Sequence, residues 1–534
     1  MTECRDVKSA RCCQSLTRHL QNTFTTVSIH VVIVLVVLSI CTVSLHAKPN
    51  SRPNIVYILA DDMGYGDVHA FNPDGQIKTP HMDQLAREGM RFTDAHSGSA
   101  VCTPTRYGLL TGRYAWRTRL QKHVLWGYSL PLIASDRMTV ASLLQQHGYR
   151  TTCVGKWHLG LEWALQDPAH PPSDTKSESW ENIDFAGPIR GGPCERGFAA
   201  YFGISASLDM HPHVYIQNDG VTSVPTRLVP ASHGKAFWRE GPVGEDFRHV
   251  DVLDKLTEQA VTFVEQQNRE RPFFLYFPLT APHKPILPHT RFEGKSGLNE
   301  WGDFVMQVDW TVGQVMEALE RKGLTENTLL IVTSDNGATP GADFGYLAER
   351  GHDPSYVFRG HKADIFEGGH RVAFMARWPH TIPAGTTCPQ TICHTDLLAT
   401  VADILQQKLP PNAGEDSVSI LPLLQQATTE PVRQATVHHS INGSFAIRQD
   451  QWKLILCPGS GGWSEPRPGK TKTKNLPPRQ LYNVNTDVGE ESNVQDKYPK
   501  VVQRMLALMQ TYIDAGRSTP GPSQSNDVPI LFTP

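Results

Sequence analysis

The sequence predicts an α/β protein with a large, mainly parallel central sheet flanked by helices and a smaller C-terminal antiparallel α+β domain. Three observations predict this fold class. Short apolar, β-branched runs alternate with helical patterns through most of the chain. Polar clusters follow several of these runs directly. From about residue 437 the pattern changes to short strands followed by one helix, which indicates a second, smaller domain.

The first strand is expected over residues 54–60, an apolar run that ends at Asp61 and Asp62. A helix over 80–87 has a proline in its first turn and stops at Gly89. The later predicted elements are helix 140–146 and strand 151–154, helix 252–266 and strand 273–277, helix 303–321 and strand 329–333, and a strand over 372–376. Such alternation predicts right-handed crossovers and a parallel sheet, whose ligands bind at the carboxyl ends of the strands.

The C-terminal part has a different pattern of predicted elements. Strands are predicted over 444–448 and 452–457, then a loop or hairpin rich in Gly, Pro and Lys over 458–478, then a helix over 500–514. The end of the chain is rich in Pro, Ser and Asn, which predicts a flexible tail. The expected division into leader, large domain, small domain and tail has the bounds 1–47, 50–430, 437–517 and 518–534.

An apolar run over residues 31–43 follows a basic segment and precedes Ala47. This pattern is typical of a secretory signal peptide cleaved after Ala47, and it predicts an exported protein, whether secreted, periplasmic or lumenal. The run is shorter than the roughly 20 apolar residues of a spanning helix, although an uncleaved anchor stays an alternative. Contact with a membrane is therefore expected only if the leader is retained.

Charge and cysteine content limit the partners further. The 50 Lys and Arg side chains balance 53 Asp and Glu, so no field predicts nucleic acid as a partner. Six of the ten cysteines lie beyond the leader, in a compartment where disulfides persist. Cys388 and Cys393 are close enough in sequence to pair, and the connectivity stays open.

Polar residues follow four of the predicted strands, at the point where each strand ends. The clusters are Asp61-Asp62, Gly155-Lys156-Trp157-His158, Pro282-His283-Lys284-Pro285 and Ser334-Asp335-Asn336-Gly337. Because the carboxyl ends of parallel strands meet at one edge of the sheet, these clusters can converge on one pocket.

An oxygen-only ligand set lies among these clusters: Asp61, Asp62, Asp335 and Asn336. Carboxylate and amide oxygens suit a hard cation such as calcium and suit zinc or copper poorly. Taken pair by pair, Asp-Asp and Asp-Asn-Gly also serve as helix caps or turns.

Cys102 begins the segment Cys102-Thr103-Pro104-Thr105-Arg106, and Thr111-Gly112-Arg113 follows shortly after it. Pro104 fixes its own φ and disfavours helical geometry at Thr103. The thiol is therefore expected on a non-helical turn, with a helix beginning after Arg106. A lone cysteine is otherwise a small buried apolar residue or half of a disulfide.

The Cys-x-Pro-x-Arg segment, with Thr-Gly-Arg after it, resembles the signature of type I sulfatases of the arylsulfatase-like kind. Gly155-Lys156-Trp157-His158-Leu159-Gly160 resembles a second signature of that family, and Gly360-His361-Lys362 leading to Glu367-Gly368-Gly369 resembles a third. The histidine of Ala281-Pro282-His283 matches a sulfate-contacting position. The resemblance runs from about Asn54 to the Cys457 region, and it implies an alkaline-phosphatase-like α/β sandwich.

The resemblance also implies the chemistry. Cys102 would be converted to formylglycine (3-oxoalanine) by a formylglycine-generating enzyme and hydrated to a gem-diol. The calcium ligands implied are Asp61, Asp62, Asp335 and Asn336. One hydroxyl of the diol would attack sulfur, with Asp335 as the proton acceptor.

The remaining implied roles fall on basic residues. Arg106 and Lys156 would stabilise the diol and the sulfate, and His158 would hydrogen-bond the second hydroxyl. His283 or Lys362 would protonate the departing alcohol, since cations and proton donors near that oxygen lower the barrier. The activity implied is sulfuric ester hydrolysis.

Three alternatives stay open. One is an aryl sulfatase, another a phosphoester or phosphonate hydrolase of the same superfamily, and the third an inactive sulfated-glycan-binding relative held at a membrane.

The loops expected to contact the substrate are 162–193, 205–229 and 340–359, with Asp209, His211, His213 and Trp180 among them. Such side chains suit sugar hydroxyls and ring faces, so a sulfated carbohydrate is favoured over an aryl sulfate. Asn442-Gly443-Ser444 is a glycosylation sequon.

Overall fold

The computed structural model describes residues 52–172, 179–470 and 473–530, all within one compact unit, Arg52–Pro534. The predicted leader over 1–47 lies outside the described residues. In the described ranges, no helix is long and apolar enough to cross a membrane. The predicted domain bounds stay a prediction, because the large and small sheets belong to the same compact unit.

The seven predicted strands are present, most of them with ends within a few residues of the predicted positions, and the described ranges contain eleven further strands that were not predicted. In chain order, the strands are β1 (Asn54–Asp61), β2 (Met90–Phe92), β3 (Ala95–His96), β4 (Arg150–Lys156), β5 (Ala200–Ile204), β6 (Ile216–Gln217), β7 (Gly220–Val221), β8 (Arg227–Val229), β9 (Gly241–Val243), β10 (Phe273–Pro282), β11 (Thr328–Ser334), β12 (Phe374–Arg377), β13 (Thr386–Cys388), β14 (Ile392–Cys393), β15 (Thr436–His439), β16 (Phe445–Gln449), β17 (Trp452–Ile455) and β18 (Gln480–Asn483). Short strands such as β6 to β9 carry too little periodicity for a prediction.

The α-helices follow the same pattern. They are α1 (Pro80–Glu88), α2 (Cys102–Thr111), α3 (Val140–Gln146), α4 (Val252–Glu265), α5 (Glu300–Arg321), α6 (Phe344–Ala348), α7 (Glu367–His370), α8 (Leu397–Ile404), α9 (Leu421–Leu424) and α10 (Pro499–Asp514). Helix α5 begins three residues earlier than predicted, because the Asn299 side chain accepts hydrogen bonds from the backbone N–H groups of Trp301 and Gly302 and caps the helix.

Ten strands form the large sheet in the order β13-β2-β12-β11-β1-β10-β4-β5-β6-β7. The five central strands, β11, β1, β10, β4 and β5, run parallel, as predicted. Every residue of β1 and of β10 is buried, since helices cover both faces of the sheet. Ile55 and Tyr57 belong to the apolar core on one face, and Val56 and Ile58 belong to the core on the other.

Strand β12 corrects one expectation, because it pairs antiparallel with β11 although the segment 372–376 was expected to join the parallel set. A parallel neighbour needs a crossover that returns the chain to the opposite edge of the sheet. The connection from β11 to β12 instead stays at the carboxyl edge, where the backbone N–H of Lys362 donates to the Ala338 carbonyl. Because the β11–β12 connection follows this path, Lys362 lies at the edge of the sheet where the polar clusters are.

The small C-terminal sheet is antiparallel, in the order β15-β16-β17-β18. Met505 and Met509 of α10 pack on Ile447 and Leu454 of this sheet. Trp116, which follows α2 in the chain, lies edge to face with Phe445, with ring centroids 5.4 Å apart. The small sheet is thereby packed against the segment that carries the Cys102 helix.

Two predictions about chain ends and cysteines need revision. Within the described part of the predicted tail, residues 518–530, Asp527 lies 2.9 Å from the Arg113 guanidinium and Asn526 Oδ1 accepts from Arg117 at 2.9 Å, so this part is held to the protein. All six cysteines in the described ranges are free. Cys388 and Cys393 therefore do not pair, because the first lies in the large sheet and the second in the two-stranded sheet of β14 and β3.

Candidate active site

Cys102 is the first residue of helix α2, which corrects the expected non-helical turn. Val101 before it is extended, with φ −147° and ψ 159°. Pro104 is the third helical residue, within the first turn, where a backbone N–H has no partner inside the helix in any case. The proline therefore starts this helix instead of delaying it, and Arg106 lies one turn further along the same face.

The four predicted calcium ligands come together at the carboxyl ends of the neighbouring strands β1 and β11. Asp61 ends β1, and Asp62 follows it with φ 69°. The backbone N–H of Asp62 donates to Asp335 Oδ1 at 3.1 Å, and Asn336 Nδ2 donates to Asp62 Oδ1 at 2.8 Å. All four side chains are buried. The strand order thus brings the two sequence-distant pairs together.

Three cations compensate these carboxylates. Lys156 Nζ donates to Asp61 at 2.7 Å, and Lys362 Nζ donates to Asp62 at 2.7 Å. Arg106 donates to Asp335 Oδ2 through Nη2 at 2.7 Å and Nε at 3.1 Å. This two-point contact fixes the orientation of both side chains.

The donor set fits a hard divalent cation. Asp61 Oδ1 and Asn336 Oδ1 are buried and accept no hydrogen bond from the described residues. The potential ligand atoms of Asp61, Asp62, Cys102 and His283 all lie within 4.8 Å of one another. Buried oxygens without a donor are costly unless a cation or water satisfies them. The residues present are therefore compatible with calcium.

The charges in this cluster shift several pKa values. Burial by itself would raise the pKa of Asp61, but Lys156 and Arg106 hold it well below its usual value. Burial raises the pKa of Asp335 to about 7 despite the Arg106 guanidinium beside it. Burial also raises the pKa of the Cys102 thiol to about 11. The unmodified thiol is consequently protonated at neutral pH.

Two histidines adjoin the cluster. His158 Nε2 donates to the Leu125 carbonyl at 2.8 Å, so its buried Nδ1, which has no partner among the described residues, carries the lone pair. His283 Nδ1 contacts the Lys284 carbonyl at 2.5 Å, and its Nε2 lies 3.7 Å from Asp62. Burial lowers the pKa of both imidazoles, which keeps them neutral.

These groups open into a cavity of about 900 Å³. Cys102, His158, His283 and Lys362 are among its lining residues. Arg106 is fully buried and does not line the cavity, and it bonds Asp335 and the Lys156 carbonyl. In this structure Arg106 is therefore seen to bind the acids, and its predicted contact with the diol and the sulfate stays a prediction.

The substrate loops were only partly predicted. Asp209 lines the cavity, but His211, His213 and Trp180 do not. His211 packs against the Trp180 ring with centroids 5.3 Å apart, and His213 Nε2 donates to the Arg239 carbonyl at 2.8 Å. These three side chains are held by neighbouring protein groups, so they support the wall without forming its surface.

Other lining residues carried no recognisable signal in the sequence. Trp126 and Arg239 come from irregular segments of the large domain, and Asn442 and Trp463 come from the C-terminal part. Only the docking of the small sheet places the last two beside Cys102. An exposed lysine, Lys122, lies in the same wall.

Comparisons with known proteins define the class. The family model described as Sulfatase matches residues 53–407. The chain belongs to the sulfatase family, whose alkaline-phosphatase-like fold it shares, and it is a sulfatase, an enzyme that hydrolyses sulfate esters.

Individual relatives cover nearly the whole length. The chain is 34% identical to an N-acetylgalactosamine-6-O-sulfatase of Bacteroides thetaiotaomicron, over 87% of this chain and 94% of that protein. It is 31% identical to human arylsulfatase A, over 88% of this chain and 90% of that protein. A solved structure from work on glycosaminoglycan metabolism by Bacteroides thetaiotaomicron superposes with a TM-score of 0.74 at 31% identity, covering 86% of this chain and 99% of that one.

Proposed function

We propose that this sulfatase removes sulfate from a sulfated carbohydrate by means of a formylglycine made from Cys102 and a calcium ion. The observation that carries the proposal is the convergence of ligand atoms of Asp61, Asp62, Cys102 and His283 within 4.8 Å of one another, two of which, Cys102 and His283, line one cavity. The name of the 34% identical relative and the polar, partly aromatic cavity walls support a sugar as the leaving group.

The state of Cys102 supports its conversion. A protonated thiol with a pKa near 11 is a weak nucleophile at neutral pH. A hydrated aldehyde at this position supplies a hydroxyl nucleophile and, after sulfate transfer, a second hydroxyl whose deprotonation releases sulfate. Its formation requires a formylglycine-generating enzyme as a maturation partner. The predicted leader supports export, with membrane attachment only if the leader is retained.

The cations and acids of the chain have distinct tasks. Calcium, when bound by Asp61, Asp62, Asp335 and Asn336, would supply positive charge against the sulfate oxygens. Lys156 balances the Asp61 carboxylate beside it, at a Nζ to Oδ2 distance of 2.7 Å. Asp335, whose Oδ1 accepts from the Asp62 backbone N–H and whose Oδ2 accepts from Arg106, is the proton acceptor for the attacking hydroxyl.

Proton return to the leaving oxygen falls to Lys362. Both Lys362 and His283 line the cavity, but the lowered pKa of His283 leaves that imidazole neutral. Lys362 carries a proton, because the Asp62 carboxylate raises the pKa of its ammonium despite burial. His158 Nδ1, a free lone pair, accepts a hydrogen bond from a hydroxyl at position 102.

The test is to produce the full chain with a formylglycine-generating enzyme and to analyse the peptide containing residue 102 by mass spectrometry. We expect a loss of about 18 mass units at Cys102, release of sulfate from N-acetylgalactosamine 6-sulfate, and about one calcium ion per chain. Cys102→Ala abolishes turnover, and the matched control Cys194→Ala, at a partly exposed position outside the cavity, retains both aldehyde and turnover.

Two results would contradict the proposal. If Cys102 stays unmodified in a host that contains a formylglycine-generating enzyme, the formylglycine mechanism is excluded and the inactive glycan-binding alternative is favoured. Efficient hydrolysis of phenyl phosphate with no sulfate release from either a sulfated sugar or an aryl sulfate favours the phosphoester hydrolase alternative.

A further inference from the structure

One wall of the cavity contains polar groups that the described protein leaves unsatisfied. Ser207 and Asp209 lie on the loop after β5, and both line the cavity beside His283. Ser207 is 2% exposed and Asp209 is 7% exposed. Neither Ser207 Oγ nor Asp209 Oδ1 has a hydrogen-bond partner among the described residues. Two unpartnered polar atoms on one short loop are unusual in a folded protein and indicate a missing ligand group.

The protein does not supply a partner for Asp209 Oδ1 from nearby. His283 Nδ1 is 4.0 Å away, beyond hydrogen-bond distance, and contacts the Lys284 carbonyl instead. The other carboxylate oxygen, Oδ2, accepts from Arg239 Nη1. Arg239 thus binds one carboxylate oxygen of Asp209, and the other oxygen is left without a donor among the described residues.

Arg239 completes the arrangement. Its guanidinium lies 5.0 Å from the ring centroids of both Trp126 and Phe237, and its Nη1 also donates to the Asp209 carbonyl at 3.1 Å. These contacts hold the planar group in place at the cavity surface. Its Nη2 makes no hydrogen bond to any residue in the described ranges, so it can donate to a ligand oxygen.

The chemistry of these three groups selects hydroxyls. An acceptor, a hydroxyl and a donor fit the alternating donor and acceptor character of neighbouring sugar hydroxyls. A second anion would meet the Asp209 carboxylate, and a bare aromatic ring would leave Oδ1 and Oγ without partners. Such a site discriminates against ligands that lack the hydroxyl, because its own polar groups then stay unpaired.

We infer that Ser207, Asp209 and Arg239 form a hydroxyl-binding wall that recognises the sugar bearing the scissile sulfate. The inference rests on the proposed function, whose substrate class it makes specific. Trp126 also lines the cavity, and its ring lies against the Arg239 guanidinium of this wall.

The kinetic test compares a sugar with a substrate that has no hydroxyls. The ratio of kcat/KM for N-acetylgalactosamine 6-sulfate to kcat/KM for 4-nitrophenyl sulfate is measured in Ser207→Ala and Asp209→Asn. We expect each substitution to lower this ratio about 10- to 100-fold. The matched controls are Ser232→Ala and Asp251→Asn, two positions outside the cavity, which keep the wild-type ratio. If kcat/KM falls equally for both substrates, Asp209 acts by positioning His283 or by stabilising the fold, and the inference is overturned.

A binding measurement separates this inference from the proposed function. In the Cys102→Ala background, calorimetry gives Kd for N-acetylgalactosamine 6-sulfate and for inorganic sulfate. We expect the sugar sulfate to bind more tightly than sulfate, and Asp209→Asn to reduce that difference about tenfold or more. Absence of sulfate release by the wild type would sink the proposed function alone. Equal Kd values for the two ligands, or a difference unaffected by Asp209→Asn, would overturn the hydroxyl-binding wall.

Discussion

Arg106 is held in one orientation by carboxylate and carbonyl acceptors deep in the protein. It contacts Asp335 at two points, the Lys156 carbonyl at 3.2 Å and Asp61 at 3.4 Å. Burial of several carboxylates in one place is costly unless cations compensate them. Arg106 therefore compensates the buried acids, and the stabilisation of the diol and the sulfate that the family resemblance implies for it stays a prediction.

Replacing Arg106 tests this role. Arg106→Met leaves Asp335 without its two-point partner, so we expect the free energy of unfolding to fall by about 3–5 kcal/mol. Denaturant unfolding gives this value. In the control Arg321→Met, the lost ion pair with Glu265 is half-exposed, so the expected change is below about 1 kcal/mol. Similar values for the two variants would show that Arg106 does not compensate the acids.

Single residues also show where prediction from sequence succeeds. Asp61 and Asp335 could be placed together, because each ends or follows a buried strand and parallel strands share a carboxyl edge. Ser207 and Arg239 could not be placed, because they lie in irregular segments whose path depends on tertiary packing. The observation that indicates a binding role for Ser207 is its buried hydroxyl without a hydrogen-bond partner among the described residues, and a sequence alone does not show this.

At the scale of elements, strand β3, helix α7 and strand β15 meet in a buried histidine cluster of His96, His370 and His438. His96 Nδ1 and His370 Nδ1 are 3.0 Å apart, and the rings of His370 and His438 stack with centroids 4.0 Å apart. Lys453 Nζ lies 3.0 Å from His370 Nε2. The cluster joins the two-stranded sheet of β3 and β14 to the small C-terminal sheet. Its imidazoles are neutral, because a further positive charge there would be repelled by Lys453.

The histidine cluster predicts a pH-dependent stability. Burial lowers the pKa of all three histidines, well below the usual value for His370 and His438. The unfolded chain, with histidines near pKa 6.5, then binds more protons than the folded chain, so stability is present above about pH 6.5 and is lost as the pH falls. We expect the free energy of unfolding to decrease from pH 7.5 to 5.5.

His438→Asn checks the origin of this dependence. Asparagine can keep the donation that His438 Nδ1 makes to the Ser97 carbonyl at 2.9 Å, but it has no titratable group. The pH slope of the unfolding free energy should decrease by up to about one proton. The exposed control His170→Asn should leave the slope as in the wild type. An unchanged slope in His438→Asn would assign the pH dependence to other groups.

At the scale of the whole molecule, the C-terminal part completes structures that begin near residue 100. The C-terminal part supplies cavity residues, and Asn526 and Asp527 contact the segment after helix α2. Arg113 and Arg117 are fully buried, and their partners include Asp527 and Asn526. Composition predicted a flexible end here, because Pro, Ser and Asn carry no signal for such ion pairs.

Truncation tests the anchoring of the tail. Removing residues 518–534 leaves the Arg113 guanidinium without Asp527, so we expect a lower melting temperature and a loss of about 2–4 kcal/mol in the free energy of unfolding. Differential scanning calorimetry measures the shift. Removing only residues 531–534 spares these contacts and serves as the control. Equal melting temperatures for the two truncated chains would show that residues 518–530 do not stabilise the fold.

The turn at Asn442 has a consequence for how the enzyme is produced. Asn442 is exposed at the cavity surface, and its Oδ1 accepts from Ser440 and Ser444, which leaves the amide nitrogen available in the sequon. An oligosaccharide attached there by a glycosylating host would stand at the surface of the cavity that Cys102 also lines. The choice of expression host would then decide how long a substrate chain can enter, so material from different cells would differ in apparent specificity with an identical amino-acid sequence.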